Sequence, residues 1–143
     1  MAKLLHDDDE IRRLLESTRT IAVVGASPRP GRPSYGVMAA LKQAGYRVIP
    51  VNPTAAGQTI HGETVYASLA DIPVKIDMVD VFRRAEDTLP VARDAVAVGA
   101  KSLWLQLGIA NDEAAAVATT GGLDVVMDRC TAVEVTRLRL HLE

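Results

Sequence analysis

A chain that alternates short β-branched apolar runs with helix-patterned stretches has few ways to fold, and this alternation fills the sequence. Thr20–Val24, Tyr46–Val51, Asp77–Phe82, Lys101–Leu105 and Leu123–Met127 read as five strands. Thr20–Val24 is short, apolar and ended by Gly25, the pattern of a strand buried on both sides of a parallel sheet. Helix signals stand between or beside them. Asp7-Asp8-Asp9-Glu10 caps and charges a first helix with Ile11, Leu14 and Leu15 on one face. A second starts near Ser34 and stops at Gly45. Glu86-Asp87-Thr88 opens a third, with Pro90 in its first turn, and Gly99 closes it. Asn111-Asp112-Glu113 opens a fourth that ends at Gly121-Gly122. Thr131 caps a last one with Val135, Leu138 and Leu142 inward. The stretch after Asn52-Pro53 reads as a loop with a short turn near 68–72.

The expectation is therefore an α/β domain: a single Rossmann-like, doubly wound, parallel five-stranded sheet over residues 1–143, with helices on both faces. The simplest strand order is 3-2-1-4-5, which puts the switch point between the first and fourth strands. Ligands of such sheets bind beyond the strand carboxyl ends at that point. Four segments are thereby singled out: Gly25 to Pro33, Asn52-Pro53, Phe82-Arg83-Arg84, and Gln106 to Ile109.

Charge narrows the partners. Sixteen basic against eighteen acidic residues leave −2, which argues against nucleic acid or an anionic membrane surface as the main partner. Aromatics at 3% are too few for a base-stacking platform. One cysteine, Cys130, excludes an internal disulfide and a multi-thiolate metal site. The start of the chain turns acidic where a signal peptide needs its apolar core, and no apolar run reaches the ~20 residues of a membrane span. A cytoplasmic setting is expected.

The first loop has the features of an anion site. Val23-Val24-Gly25-Ala26-Ser27 runs a strand into a tight turn ahead of a helix, where glycine admits close backbone approach and the helix end offers free N–H groups. Gly25, Gly31 and Gly36 lack the spacing of the dinucleotide fingerprint G-x-G-x-x-G, and no Walker A motif occurs. After the second strand stands Asn52, then Pro53, where an NAD site would have an acid for the ribose diol. Arg29 and Arg32, on a proline-stiffened loop, suit a ligand with more phosphate than NAD. The alternative reading of either arginine is a solvated loop charge, and of Gly25 a simple exit from the sheet.

These segments resemble a known family. Val23-Val24-Gly25-Ala26-Ser27, Pro50-Val51-Asn52-Pro53, Val79-Asp80-Val81-Phe82-Arg83, Trp104-Leu105-Gln106-Leu107-Gly108 and Asp128-Arg129-Cys130 stand in the order found in the small CoA-binding-domain proteins. Those are similar to the N-terminal CoA-binding domain of the succinyl-CoA synthetase α subunit. The resemblance covers about residues 10–140. It implies a domain that holds coenzyme A or an acyl-CoA, with Gly25, Ala26 and Ser27 receiving a phosphate or the ribose; the residues themselves add Pro28 in the same loop and Arg29, Arg32 and Arg83 as candidate partners of the pyrophosphate and 3′-phosphate of CoA. Asn52 and Pro53 would border the adenine-ribose end, Phe82 and Arg83 would line the cleft, and Gln106 and Gly108 would close it. The synthetases carry a phosphorylated histidine on a second domain that nothing here matches, so ligase activity is not implied.

Catalytic candidates are sparse. His6 and His141 lie near the ends, and His61 sits in a loop beside Gly62 and Glu63. Asp77 and Asp80, three apart in one strand, fall on opposite faces. Trp104 reads as core. Cys130, next to Arg129 at a helix start, is a candidate reactive thiol for a mixed disulfide with CoA, or simply a small half-buried residue. The expected function is binding of CoA or acyl-CoA without chemistry. Two alternatives remain: an NAD(P)-dependent oxidoreductase, and a CoA-binding subunit or interaction module of an acyl-CoA enzyme. A homodimer is compatible with the small size.

Overall fold

The computed structural model describes residues 2–140; His141 and Leu142 lie outside that range. Among the described residues seven strands and five α-helices follow in chain order: α1 (Asp8–Ser17), β1 (Thr20–Val24), α2 (Pro33–Gln43), β2 (Arg47–Val51), β3 (Thr59–Ile60), β4 (Glu63–Thr64), β5 (Met78–Val81), α3 (Thr88–Ala97), β6 (Ser102–Leu105), α4 (Asp112–Thr120), β7 (Asp124–Val126) and α5 (Thr131–Arg137). β3 and β4 form a small antiparallel hairpin through His61 and Gly62, both at positive φ. That two-residue turn matches the twist of its strands and needs left-handed backbone at both positions.

The five expected strands make one parallel sheet, in the order β2-β1-β5-β6-β7. Counting only its own strands, this is 2-1-3-4-5 rather than 3-2-1-4-5. The third strand lies beside the first, and the switch point falls between β1 and β5. Pro50 explains the difference. Its backbone nitrogen faces away from β1 and has no hydrogen to donate, so no further strand can add there with a full ladder. The chain returning from the hairpin covers that edge instead: Tyr66 N–H donates to Pro50 O at 3.0 Å and Asn52 N–H to Tyr66 O at 2.9 Å. Lys3–Leu5 covers the opposite edge against Val125. Neither edge is left open for aggregation.

Alternate residues of each strand feed two cores. Ala22 and Val24 of β1 join Val79, Val81, Leu103 and Leu105 under α3 and α4. Ile21 and Val23 join Met78, Trp104 and Val126 under α1, α2 and α5. Trp104 is wholly buried, as expected, and its Nε1–H donates to Arg129 O at 2.7 Å. The α3/α4 layer is alanine-rich: Ala92, Ala95, Ala114, Ala115 and Ala118 face the sheet. Cys130, not Thr131, is the N-cap of α5, and Thr131 is its first helical residue.

Candidate functional site

All five parallel strands point their carboxyl ends at one broad cleft of about 1400 Å³, larger than the ~300–1,000 Å³ usual for small-molecule sites. It gathers the loops after β1, β2, β5 and β6 with the start of α5. Gly25, Ser27, Pro28, Arg29, Arg32, Asn52, Phe82, Arg83, Gln106 and Gly108 all line it. Two expected residues do not. Ala26 is wholly buried, and Pro53 is exposed on a 3-10 turn (Pro53–Ala55) outside the lining.

The geometry of the first loop follows from Gly25. Its φ of +86° lies in the region that side chains avoid, and a Cβ there would sit 2.2 Å from the Phe82 carbonyl oxygen. The loops after β1 and β5 therefore touch backbone to backbone at the switch point. Gly25 N–H and Ala26 N–H both donate to Val51 O, at 2.9 and 3.3 Å. Asn52 completes the staple: its Nδ2–H donates to Ala26 O at 2.8 Å, while its Oδ1 accepts from Thr54 N–H at 3.1 Å and the Thr54 hydroxyl at 2.9 Å. Its side chain thus fastens two loops together. Ser34 Oγ accepts from Ser27 N–H, and Ser27 Oγ from Arg29 N–H, which orders the arginine-bearing stretch.

Electrostatically the β1 and β5 loops form the cationic half of the cleft. Arg29, Arg32, Arg83 and Arg84 line it. Arg84 is shared by Glu86 and Asp87 at 3.5 Å; the ion pairs among the described residues involve none of Arg29, Arg32 and Arg83. Three guanidinium groups of the cleft therefore have no ion-pair partner among the described residues. Phe82 is half-buried, resting on the core with one side to the cleft.

A buried network beneath the cleft escapes a linear reading. Asp80, wholly buried in β5, accepts from Gln106 Nε2–H at 2.5 Å and from the Thr131 hydroxyl at 3.1 Å; Gln106 also donates to Thr131 Oγ1 at 2.8 Å. Burial pushes the Asp80 carboxyl up to about 7, against the opposing pull of those hydrogen bonds. Gln106 therefore spends its amide on the floor of the cleft. The one available clue is an acid inside an apolar strand, since its partners lie far off in sequence.

The other candidates have structural partners. Asp77, the residue before β5, accepts from the Arg19 and Thr20 N–H groups and is no partner of Asp80. His61 is half-buried, tilted on Tyr35 with its Nε2 2.8 Å from Tyr35 O, and is not among the cleft residues. Glu63 pairs with Arg47. Cys130 is a free thiol lining the cleft, but the Arg129 guanidinium expected beside it engages Glu134 at 2.6 Å and His6 O at 3.1 Å. No helix among the described residues is long and apolar enough to cross a membrane.

A doubly wound parallel sheet with its cleft at the switch point defines a Rossmann-like α/β domain. Within that class the sequence matches the CoA binding domain family over residues 19–136, and the chain belongs to that family. It is 41% identical over 124 residues to the uncharacterized protein YneT of Bacillus subtilis, covering 87% of this chain and 90% of that protein. A solved structure from Thermus thermophilus superposes with a TM-score of 0.88 at 39% identity, over 93% of this chain and 99% of the other. The α subunit of the ADP-forming acetate–CoA ligase I of Pyrococcus furiosus is 32% identical over 91 residues, 61% of this chain. The match spans only 20% of that subunit.

Proposed function

We propose that the cleft binds coenzyme A, free or as a thioester, and that the chain's activity is this binding. The supporting observation is the trio Arg29, Arg32 and Arg83, without ion-pair partners among the described residues, around a switch-point cleft in a member of the CoA binding domain family. CoA carries a pyrophosphate and a 3′-phosphate, and permanently charged, forked guanidinium groups suit such oxygens. Gly25 brings the backbone of the first loop to the phosphates, Ser27 and Pro28 border them, and Phe82 packs against the adenine or the pantetheine arm. Asn52 and Gln106 act by position, the first holding the β1 loop and the second the floor. An acid for the ribose diol of NAD is missing after β2, and Asn52 is already engaged on both sides.

Similarity to part of a ligase subunit supports a second reading, in which the chain presents its CoA to a partner enzyme. Native mass spectrometry of freshly purified protein tests the first reading. An adduct with the mass of CoA or an acyl-CoA is expected, and retention of NAD or NADP instead would reject it. A stoichiometric co-purifying enzyme would favour the second.

A further inference from the structure

The geometry points to an apolar acyl chain as the group carried at the far end of the cleft, with Leu107 and Val133 as its contact surface; the inference rests on the CoA reading above. Among the described residues the large hydrophobic side chains left exposed are Val74, Leu107 and Val133, and the last two, at 70% and 56% exposure, both line this cleft. Ile109 and Cys130 line it beside them.

Leu107 is not exposed through looseness. Gln106 to Ile109 form a tight turn, closed by Ile109 N–H donating to Gln106 O at 2.9 Å, with Gly108 at φ +84° in the third position. Leu107 stands at the corner of that turn. Three attachments fix it: Gln106 through Asp80 and Thr131, Gly108 N–H to Asp128 Oδ1 at 2.6 Å, and Asp128 N–H to Ile109 O at 3.0 Å. Thr131 in the same network opens α5, two residues before Val133. One buried network therefore sets the places of both apolar side chains. Holding two such side chains in water gains nothing for folding, whereas a rigid apolar contact in a ligand site favours binding by avoiding the loss of freedom on association.

The strand order says which part of the ligand meets them. Arg29 and Arg32 follow β1, Arg83 follows β5, and the loops after β6 and β7 bring no cation into the lining. From β1, whose loop carries Arg29 and Arg32, to β6, whose loop carries Leu107 and Ile109, is two inter-strand steps, about 10 Å at ~4.8 Å each, and α5 with Val133 follows β7, one step further. A ligand with its phosphates on the arginines directs its opposite end, the thioester of an acyl-CoA, toward Leu107, Ile109 and Val133.

Titration calorimetry of the full chain with CoA, acetyl-CoA and octanoyl-CoA, the last kept below its micelle concentration, tests this. A fully buried methylene is worth roughly fourfold in affinity, so contact with two or three makes octanoyl-CoA bind at least tenfold tighter than CoA. In the double variant Leu107→Ser, Val133→Ser that ratio falls to near one. The two substitutions are at exposed positions, and circular dichroism checks that the fold persists. If CoA binds but octanoyl-CoA binds no tighter, or if the ratio survives in the double variant, the acyl assignment is wrong while the CoA reading stands. If CoA itself fails to bind, both fall.

Discussion

Replacing Asp80 by asparagine removes the acid buried in the sheet while keeping its shape. The carboxyl sits between Val23 and Trp104 of the flanking strands, and burial raises its pKa from the ordinary 3.8 to about 7. Below pH 4 folded and unfolded chains both hold the proton, and the stability is whole. Between pH 4 and 7 only the folded chain holds it, so stability falls as pH rises; above 7 both forms are ionised and the loss is complete. At ~1.4 kcal/mol per pH unit, the difference between 3.8 and about 7 amounts to about 4 kcal/mol. Some two pH units of that fall lie above pH 5, or about 3 kcal/mol. The substituted amide imitates the protonated acid, its oxygen accepting from Gln106 and its N–H donating to Thr131 Oγ1, and it does not titrate. Urea unfolding of both proteins at pH 5 and pH 8 is the assay. The Asp80→Asn variant should be more stable by about 1–2 kcal/mol at pH 5, where one pH unit of the fall has already occurred, and by about 4 kcal/mol at pH 8, so that the gap widens by about 3 kcal/mol. Parallel pH profiles for the two proteins would refute the reasoning, because Asp80 would then ionise alike in both states.

Three further perturbations bear on the cleft. Gly25→Ala forces a side chain into left-handed backbone, costing about 1–2 kcal/mol, and against the Phe82 carbonyl 2.2 Å away; a drop of more than about 2 kcal/mol in urea unfolding is expected, and an unchanged midpoint would contradict the contact. Asn52→Ala loses the bonds to Ala26 O and to Thr54, which should cost about 1–3 kcal/mol and show as faster amide exchange in the β1 loop; exchange like that of the wild type would argue against the staple. Arg29→Ala with Arg32→Ala should weaken CoA binding tenfold or more, charged hydrogen bonds being worth about 1.5–3 kcal/mol each, and should flatten the salt dependence of binding. Equal affinity in the double variant would remove these arginines from the site.

Much of this architecture is written in local pattern. Runs such as Ile21-Ala22-Val23-Val24 show burial on both faces, and Gly25 marks where β1 must turn. Their carboxyl ends then pick out the cleft loops under either strand order, which is why most expected site residues meet although the order differs. The order itself depended on Pro50, whose missing N–H identifies β2 as an edge strand, a signal carried by a single atom inside an otherwise ordinary run. The hairpin was hidden because His61-Gly62 is a less usual pair for a turn with two positive φ values than Asn-Gly. Asp80, Gln106 and Thr131 are 25 to 51 residues apart, and only the adjacency of β5, β6 and α5 brings them together. Asn52 was legible as a position at the cleft but not as a staple, since its partner Ala26 offers only a backbone oxygen.

Calorimetric titration of the purified chain with CoA, NAD and NADPH at a fixed salt concentration tests the central claim most directly. Saturable one-to-one binding of CoA, tighter than that of either nicotinamide dinucleotide and weakened by salt, is the predicted result. Tighter binding of NAD or NADPH, or no heat with CoA at millimolar concentration, would contradict the assignment of the cleft.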